Sequence, residues 1–235
     1  MENSMHGLAV RSYQEEQMDA VDLDASTYAR VLADLSRVNR WTFTARPVLN
    51  YLARAAASLP SFSLLDVGFG HGDILRSVAH WARKRAIPVR LVGIDLNGRS
   101  ADIARAATPA SLNIDYRTGD YSALSETFDF VISSQVAHHM TGAQLQDFLR
   151  YMEGGAANGW LICDLHRHAF AHAGYPLLAA LMGVHRIVRE DRRLSIARSF
   201  RLAEWPPILN DAGIRLDTVR IVRRFPFRLC VERVR

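Results

Sequence analysis

The stretch Leu64-Leu65-Asp66-Val67-Gly68-Phe69-Gly70-His71-Gly72-Asp73 joins a short apolar run to an acid and three alternating glycines. The run beginning at Ser63 and ending at Val67 reads as a strand covered on both faces, as in a parallel sheet packed between helices. Glycines directly after it let the backbone turn tightly and approach a ligand with no side chain in the way. Apolar residues resume at helical spacing at Ile74, Leu75, Val78 and Ala79. A helix therefore starts just past the glycines, its amino end aimed at whatever is bound.

Spacing separates two nucleotide-binding patterns. The dinucleotide fingerprint is G-x-G-x-x-G with an acid about 20 residues later, whereas this chain carries D-x-G-x-G-x-G. A pyrophosphate needs backbone N–H groups alone. A zwitterionic amino acid needs them for its carboxylate and an acceptor for its ammonium, which Asp66 and Asp73 supply. A strand-to-helix turn without a ligand is the competing reading of the glycines. The D-x-G-x-G-x-G form resembles motif I of the class I S-adenosylmethionine (SAM) dependent methyltransferases, and the resemblance implies that Asp66 holds the loop and the methionine end of SAM.

Later runs extend the resemblance. Val89 to Asn97 reads as a second strand ending in Asp95, the acid expected to accept both ribose hydroxyls at a strand's carboxyl end. Ile114 to Tyr121 gives a third strand, and its Gly119-Asp120 pair resembles the family's adenine-contacting position, with Tyr121 beside the ring. A helix N-cap or turn acid is the alternative for Asp120. Phe128 to Ser134 is a fourth strand, followed by a segment from Gln135 to Met140 that in the family lines the cofactor and substrate pockets. Gly159 to Leu165 is a fifth, with the polar exit Asp164-Leu165-His166-Arg167-His168. Leu216 to Val222 and Phe227 to Glu232 read as a hairpin around Phe225-Pro226.

The alternation predicts an α/β, Rossmann-like doubly wound sheet of seven strands, mostly parallel with an antiparallel terminal hairpin. Two regions lie outside it, N-terminal helices and a helical insertion after the fifth strand. The resemblance implies cofactor contacts from Arg46, Asp66, Gly68, Phe69, Gly70 and Asp73. It implies others from Asp95, Leu96, Asp120, Tyr121 and Gln135.

Composition narrows the function classes. At 235 residues and 49% apolar, the chain can bury one full core. No apolar stretch is long and charge-free enough to span a membrane, and no signal-peptide pattern opens the chain, so a cytoplasmic protein is expected. Cys163 and Cys230 both fall inside strands and read as buried reduced thiols rather than a disulfide framework. A net charge of +5 raises nucleic acid as a partner. Lys84 is the single lysine, however, acids intersperse the basic runs, and no aromatic residues interleave with them as a base-stacking platform requires. Solvated helix faces account for such runs.

Residues 1–59 are expected to form a helical segment closing over the cofactor, with residues 60–235 as the SAM-binding domain. Asp24 or Ser26 caps one helix through Tyr28, Val31, Leu32, Leu35 and Val38, and a second runs through Val48, Leu49, Leu52 and Ala56. The intervening Arg37 to Arg46 resembles the Asn-Arg entry segment of quinone-biosynthetic C-methyltransferases, which implies that Arg46 pairs with the methionine carboxylate. Trp41 and Phe43 are expected to pack into the core. Residues 166–200 read as a substrate-side lid, apolar from Ala169 to Val184 and charged from Arg186 to Arg193.

Methyl transfer from a sulfonium is an in-line displacement, so the protein must align two partners and manage one proton. Histidine suits a phenolic or enolic acceptor, and His138, His139, His166 and His168 all leave strands on the same sheet edge. His139 and His166 are the candidate bases, with satisfied structural histidines as the bland alternative. No metal is expected, because metal-dependent catechol methyltransferases place an acid after the fourth strand and Asp-Asn after the fifth, where this chain has Ser134-Gln135 and Asp164-Leu165. The acceptor expected is a small aromatic or polyketide-like hydroxyl compound, lipophilic given the apolar insertion. Alternatives are C-methylation of a quinone precursor, a SAM-binding protein without transferase activity, and a nucleic-acid methyltransferase.

Overall fold

The structure, a computed structural model, describes residues 8–235. Residues 1–7 of the expected N-terminal segment lie outside the described residues. The strands are β1 (Phe62–Val67), β2 (Val89–Asp95), β3 (Ile114–Thr118), β4 (Phe128–Ser134), β5 (Ala156–Leu165), β6 (Arg220–Arg224) and β7 (Arg228–Val234). They form one seven-stranded sheet in the order β3-β2-β1-β4-β5-β7-β6. The β1–β2, β1–β4, β2–β3 and β4–β5 pairs are parallel, while β5–β7 and β6–β7 are antiparallel. The expected sheet is the observed one. Its terminal hairpin starts later than the sequence pattern suggests, since Leu216–Thr218 form a single 3-10 turn before β6.

The helices are α1 (Ala25–Trp41), α2 (Ala45–Ala55), α3 (Asp73–Lys84), α4 (Ser100–Ala106), α5 (Gly142–Gly155), α6 (Ala169–Met182), α7 (Arg186–Arg198) and α8 (Trp205–Asp211). Asp24 caps α1 by accepting from the Thr27 N–H at 2.9 Å. Thr141 and Gln144 close a capping box on α5. Period-2 alternation divides the sheet's side chains between two cores: Leu64 joins Tyr51, Leu52 and Val78 on one face, and Leu65 joins Phe148, Trp160 and Trp205 on the other. A third apolar cluster, with Val31, Val38, Leu165, Tyr175, Val188 and Ile196, ties α1, α6 and α7 together beyond the carboxyl end of β5. No helix among the described residues is long and apolar enough to cross a membrane.

Trp41 and Phe43 correct one expectation. They are 68% and 51% exposed, because α1 ends at Trp41 and Phe43 takes a positive φ of 53° as the chain turns into α2. Val38 and the buried Thr44 face inward in their place.

Gly159, in β5, has φ +148°, and a Cβ there would meet the Arg233 carbonyl oxygen at 2.2 Å and the Tyr51 hydroxyl at 2.5 Å. Both neighbours are fixed, since the Tyr51 hydroxyl donates to that same carbonyl at 2.8 Å. Gly159→Ala is expected to lower stability by about 2–3 kcal/mol, the scale of stored backbone strain plus a steric shift, as read by urea unfolding.

Candidate active site

The carboxyl ends of β1, β2 and β4 open into a cavity of about 410 Å³. Its floor is the loop after β1. Gly68 has φ +77°, and a Cβ there would stand 2.4 Å from a Val136 methyl, so only glycine lets the β1 and β4 exits close on each other. Beneath this loop lies Asp66, 1% exposed, with neither carboxylate oxygen in a hydrogen bond. Burial, together with the charges of Asp73 and Asp95, pushes its pKa well above the usual carboxylate range. Burial raises Asp73 and Asp95 as well. Three acids around a glycine cradle, one wholly unpartnered, form a site that asks for a cation with N–H donors.

Asp95 ends β2. One of its oxygens accepts from the Gly70 N–H and the other from the Asn97 N–H, each at 2.9 Å, so the acid itself shapes the glycine loop. Leu96, 73% exposed, and Tyr121 flank the cavity beyond it. Gln135, at φ +62°, donates from Nε2 to Asn39 Oδ1 at 2.9 Å, and Asn39 Nδ2 donates to Asp73 at 3.2 Å. Asn39 thereby links α1, the β4 exit and the start of α3.

Of the residues expected at the cofactor, Asp66, Gly68, Phe69, Gly70, Asp73, Asp95, Leu96, Tyr121 and Gln135 line this cavity. Two do not. Arg46 is exposed in the first turn of α2 and points away, since the buried face of that helix is Pro47, Val48, Tyr51 and Leu52. Asp120 is exposed and caps the next turn, accepting from the Ser122 N–H at 2.8 Å, while its neighbours Gly119 and Tyr121 reach the cavity.

The histidines separate in the same way. His139 lines the cavity, as does His138, but His166 does not. β5 carries His166 past the sheet edge toward the hairpin, where its backbone N–H donates to the Phe227 carbonyl at 2.9 Å and its ring lies against His168. Burial and nearby cationic groups lower its pKa. His166 therefore does not border the cavity that His139 lines.

The roof holds what periodicity did not signal. A strap around residues 11–19 crosses the cavity and is tied to α7: the Gln17 and Met18 N–H groups donate to Asp191 at 3.0 and 2.8 Å. Ser195 Oγ donates to Glu16 at 2.8 Å. Glu16, 4% exposed, lies 3.5 Å from His138 Nε2, while His138 Nδ1 lies 2.8 Å from Asp164. Burial alone would lower the His138 pKa, but Asp164 and then Glu16 outweigh it and raise it to about 9. Burial likewise opposes ionisation of Glu16, yet His138 brings its pKa down to about 2. His139 Nδ1 lies 3.1 Å from Asp19, on the same strap. Glu16, His138 and His139 bring donor atoms within 4.8 Å of one another, a metal-like spacing. The two carboxylates that flank the His138 ring, Asp164 at Nδ1 and Glu16 at Nε2, favour its protonated form.

The lid region divides unexpectedly. The charged α7, through Val188, Asp191, Arg192 and Ser195, faces this cavity, whereas the apolar α6 lines a separate groove.

Residues 64–159 match the sequence model of a family described as "Methyltransferase domain". No curated protein matches the chain in sequence. Among solved structures, the magnesium protoporphyrin IX methyltransferase ChlM from Synechocystis PCC 6803, with bound S-adenosylhomocysteine (SAH), is similar at 18% identity and TM-score 0.57, covering 100% of this chain and 94% of that one. A SAM-dependent methyltransferase from Aquifex aeolicus is similar at 18% identity and TM-score 0.60, covering 90% and 98%. The plantazolicin methyltransferase BpumL, in complex with an analog and SAH, is similar at 12% identity and TM-score 0.63, covering 88% and 91%.

The raised pKa of His138 makes a pH-dependent contribution to stability. It is fully present below the ordinary value of 6.5 and disappears as pH rises through about 9. His138→Gln is expected to cost about 3 kcal/mol near pH 6. In guanidinium unfolding followed from pH 6 to 10, that deficit should shrink steadily; a constant deficit would mean that His138 is uncharged in the folded chain.

Residues 64–159 are thus similar in sequence to a methyltransferase domain, and the seven-stranded sheet with its acid-lined glycine cradle has the fold of the solved methyltransferase structures that it resembles.

Proposed function

We propose that the protein transfers the SAM methyl group to a hydroxyl of a small organic acceptor, with His139 as the general base. The observation that carries this reading is the presence, in one cavity, of an unpartnered buried Asp66 beside Asp95 and a carboxylate-held histidine on the facing wall. SAM, when bound, supplies an electrophilic methyl on a sulfonium. Asp66 and Asp73 offer acceptors to its ammonium, the glycine loop offers N–H groups to its carboxylate, and Asp95 offers lone pairs to its ribose hydroxyls.

The chain's own contribution to the reaction is alignment and one proton transfer. Asp19, 3.1 Å from His139 Nδ1, favours the tautomer with its proton on that nitrogen, whose Nε2 lone pair takes the acceptor's hydroxyl proton. His138, between Asp164 and Glu16, fixes the backbone beside His139, its own backbone N–H donating to Asp164 at 2.9 Å. Among the similar structures, ChlM is named for magnesium protoporphyrin IX and BpumL for plantazolicin, both organic molecules, which supports an acceptor of that scale. Residues 8–59 roof the cavity in this reading, and the protein works in the cytoplasm.

Asp95→Ala is expected to weaken SAM and SAH binding about 10- to 100-fold in calorimetry, the loss of charge-assisted hydrogen bonds. His139→Gln should lower kcat by about 10²–10⁴ with SAH affinity nearly unchanged. The assay is transfer of labelled methyl to a phenol and quinol panel, with product analysis to distinguish O- from C-methylation of a quinone precursor. Label passing only to nucleic acid would refute the acceptor class, and cofactor binding without any transfer would make the chain a SAM-binding protein.

A further inference from the structure

A second cavity, of about 230 Å³, lies behind the first. Its walls are apolar: Val38 from α1, Leu165 at the end of β5, Phe170, Tyr175 and Leu178 from α6, and Phe227 from the hairpin turn. Yet two buried guanidiniums, Arg192 and Arg228, border it, 6% and 1% exposed. Arg228 uses one amino group on the Thr42 hydroxyl at 3.0 Å and on Thr44, while its Nε and Nη1 have no hydrogen-bond partner. Arg192 donates to Asn39 Oδ1 at 3.3 Å. Among the described residues, no carboxylate lies within ion-pair distance of either group. Burial lowers the Arg228 pKa only to about 10, so it stays charged at neutral pH.

A buried cation without a counter-ion is costly, and an anion supplied by a ligand would offset that cost. We propose that this groove holds the body of the methyl acceptor, an amphipathic acid whose carboxylate is met by Arg228 and Arg192. The inference rests on the methyltransferase reading above and names the class of its acceptor. Arg192 lines both cavities, so a molecule anchored there lies alongside the cavity that carries His139. Phe170 continues along one face of α6 into Leu177 and Leu181, all three more than two-thirds exposed, which extends the apolar path beyond the groove mouth. The groove therefore recognises an acid with a hydrocarbon or aryl body and rejects the same body without charge.

The test compares octanoate with 1-octanol by calorimetry, with and without saturating SAH. Wild-type protein is expected to bind octanoate at least about tenfold more tightly than the alcohol, the scale of a charge-assisted hydrogen bond. Arg228→Gln should remove that preference. Gly174→Leu provides a second variant, because Gly174 lines the groove and nothing lies within 4 Å of where its Cβ would stand, so the new side chain fills the groove without straining the fold. It should abolish binding of both probes and leave SAH affinity unchanged. Equal affinity for acid and alcohol in wild type, or octanoate binding unchanged in Gly174→Leu, would overturn the proposal. Failure of wild-type protein to bind SAH would instead overturn the cofactor reading, and the acid-to-alcohol ratio measured without SAH keeps the two failures distinct.

Discussion

Three carboxylates converge where β1 and β2 end, and the architecture around them answers the cost of holding them there. Asp66 is buried with no partner and is raised by burial and by the charges of Asp73 and Asp95, while burial raises Asp73 and Asp95 themselves. Uncompensated, such a cluster disfavours the folded chain. The glycine loop presents backbone N–H groups to Asp95, and Asn39 presents its amide to Asp73. Asp66 is left without a partner. A ligand that supplied donors there would both bind and satisfy a buried polar group of the fold.

The roof is organised on a second set of buried charges, and these are paired. Glu16 from the strap, His138 from the β4 exit and Asp164 from β5 form one line, and Ser195 of α7 donates to Glu16. Arg11 and Arg198 then tie the same backbone: Arg11 donates to the His138 and Met140 carbonyls at 2.7 and 2.8 Å, and Arg198 to the His138 carbonyl at 3.2 Å. Strap, helix and sheet edge are thus closed by polar contacts, while the two sheet cores are closed by packing. Apolar packing resists partial opening whereas hydrogen bonds can be exchanged for water, so the polar contacts of the strap are the more readily parted.

The sheet and its glycine loop were legible because local pattern determines them: apolar runs ending in Asp66 and Asp95, and glycines at the turn, follow from neighbours within ten residues. The same logic misjudged Trp41 and Phe43, and it expected Arg46 at a cavity that Arg46 does not line. Their orientation depends on where α1 stops and on which face of α2 meets the sheet, both tertiary outcomes. Asp120 shows a local rule winning over a family pattern, since its own turn claims the carboxylate. His166 sat at the right sheet edge but beyond the reach of the cavity. Glu16, Asp19, Asn39, Asp191 and Arg192 carried no periodic signal at all. Each acts through a partner far away in sequence, and in a single chain a buried acid on a helix looks the same as a solvated one until its partner is known.

Glu16 both roofs the cavity and helps His138 keep its proton. A strap displaced from this position would withdraw that carboxylate and expose the imidazole to water, so the histidine's hold on its proton depends on the strap being in place. The charge of the cavity wall and the seating of the strap are thereby coupled, although they lie more than a hundred residues apart in the chain.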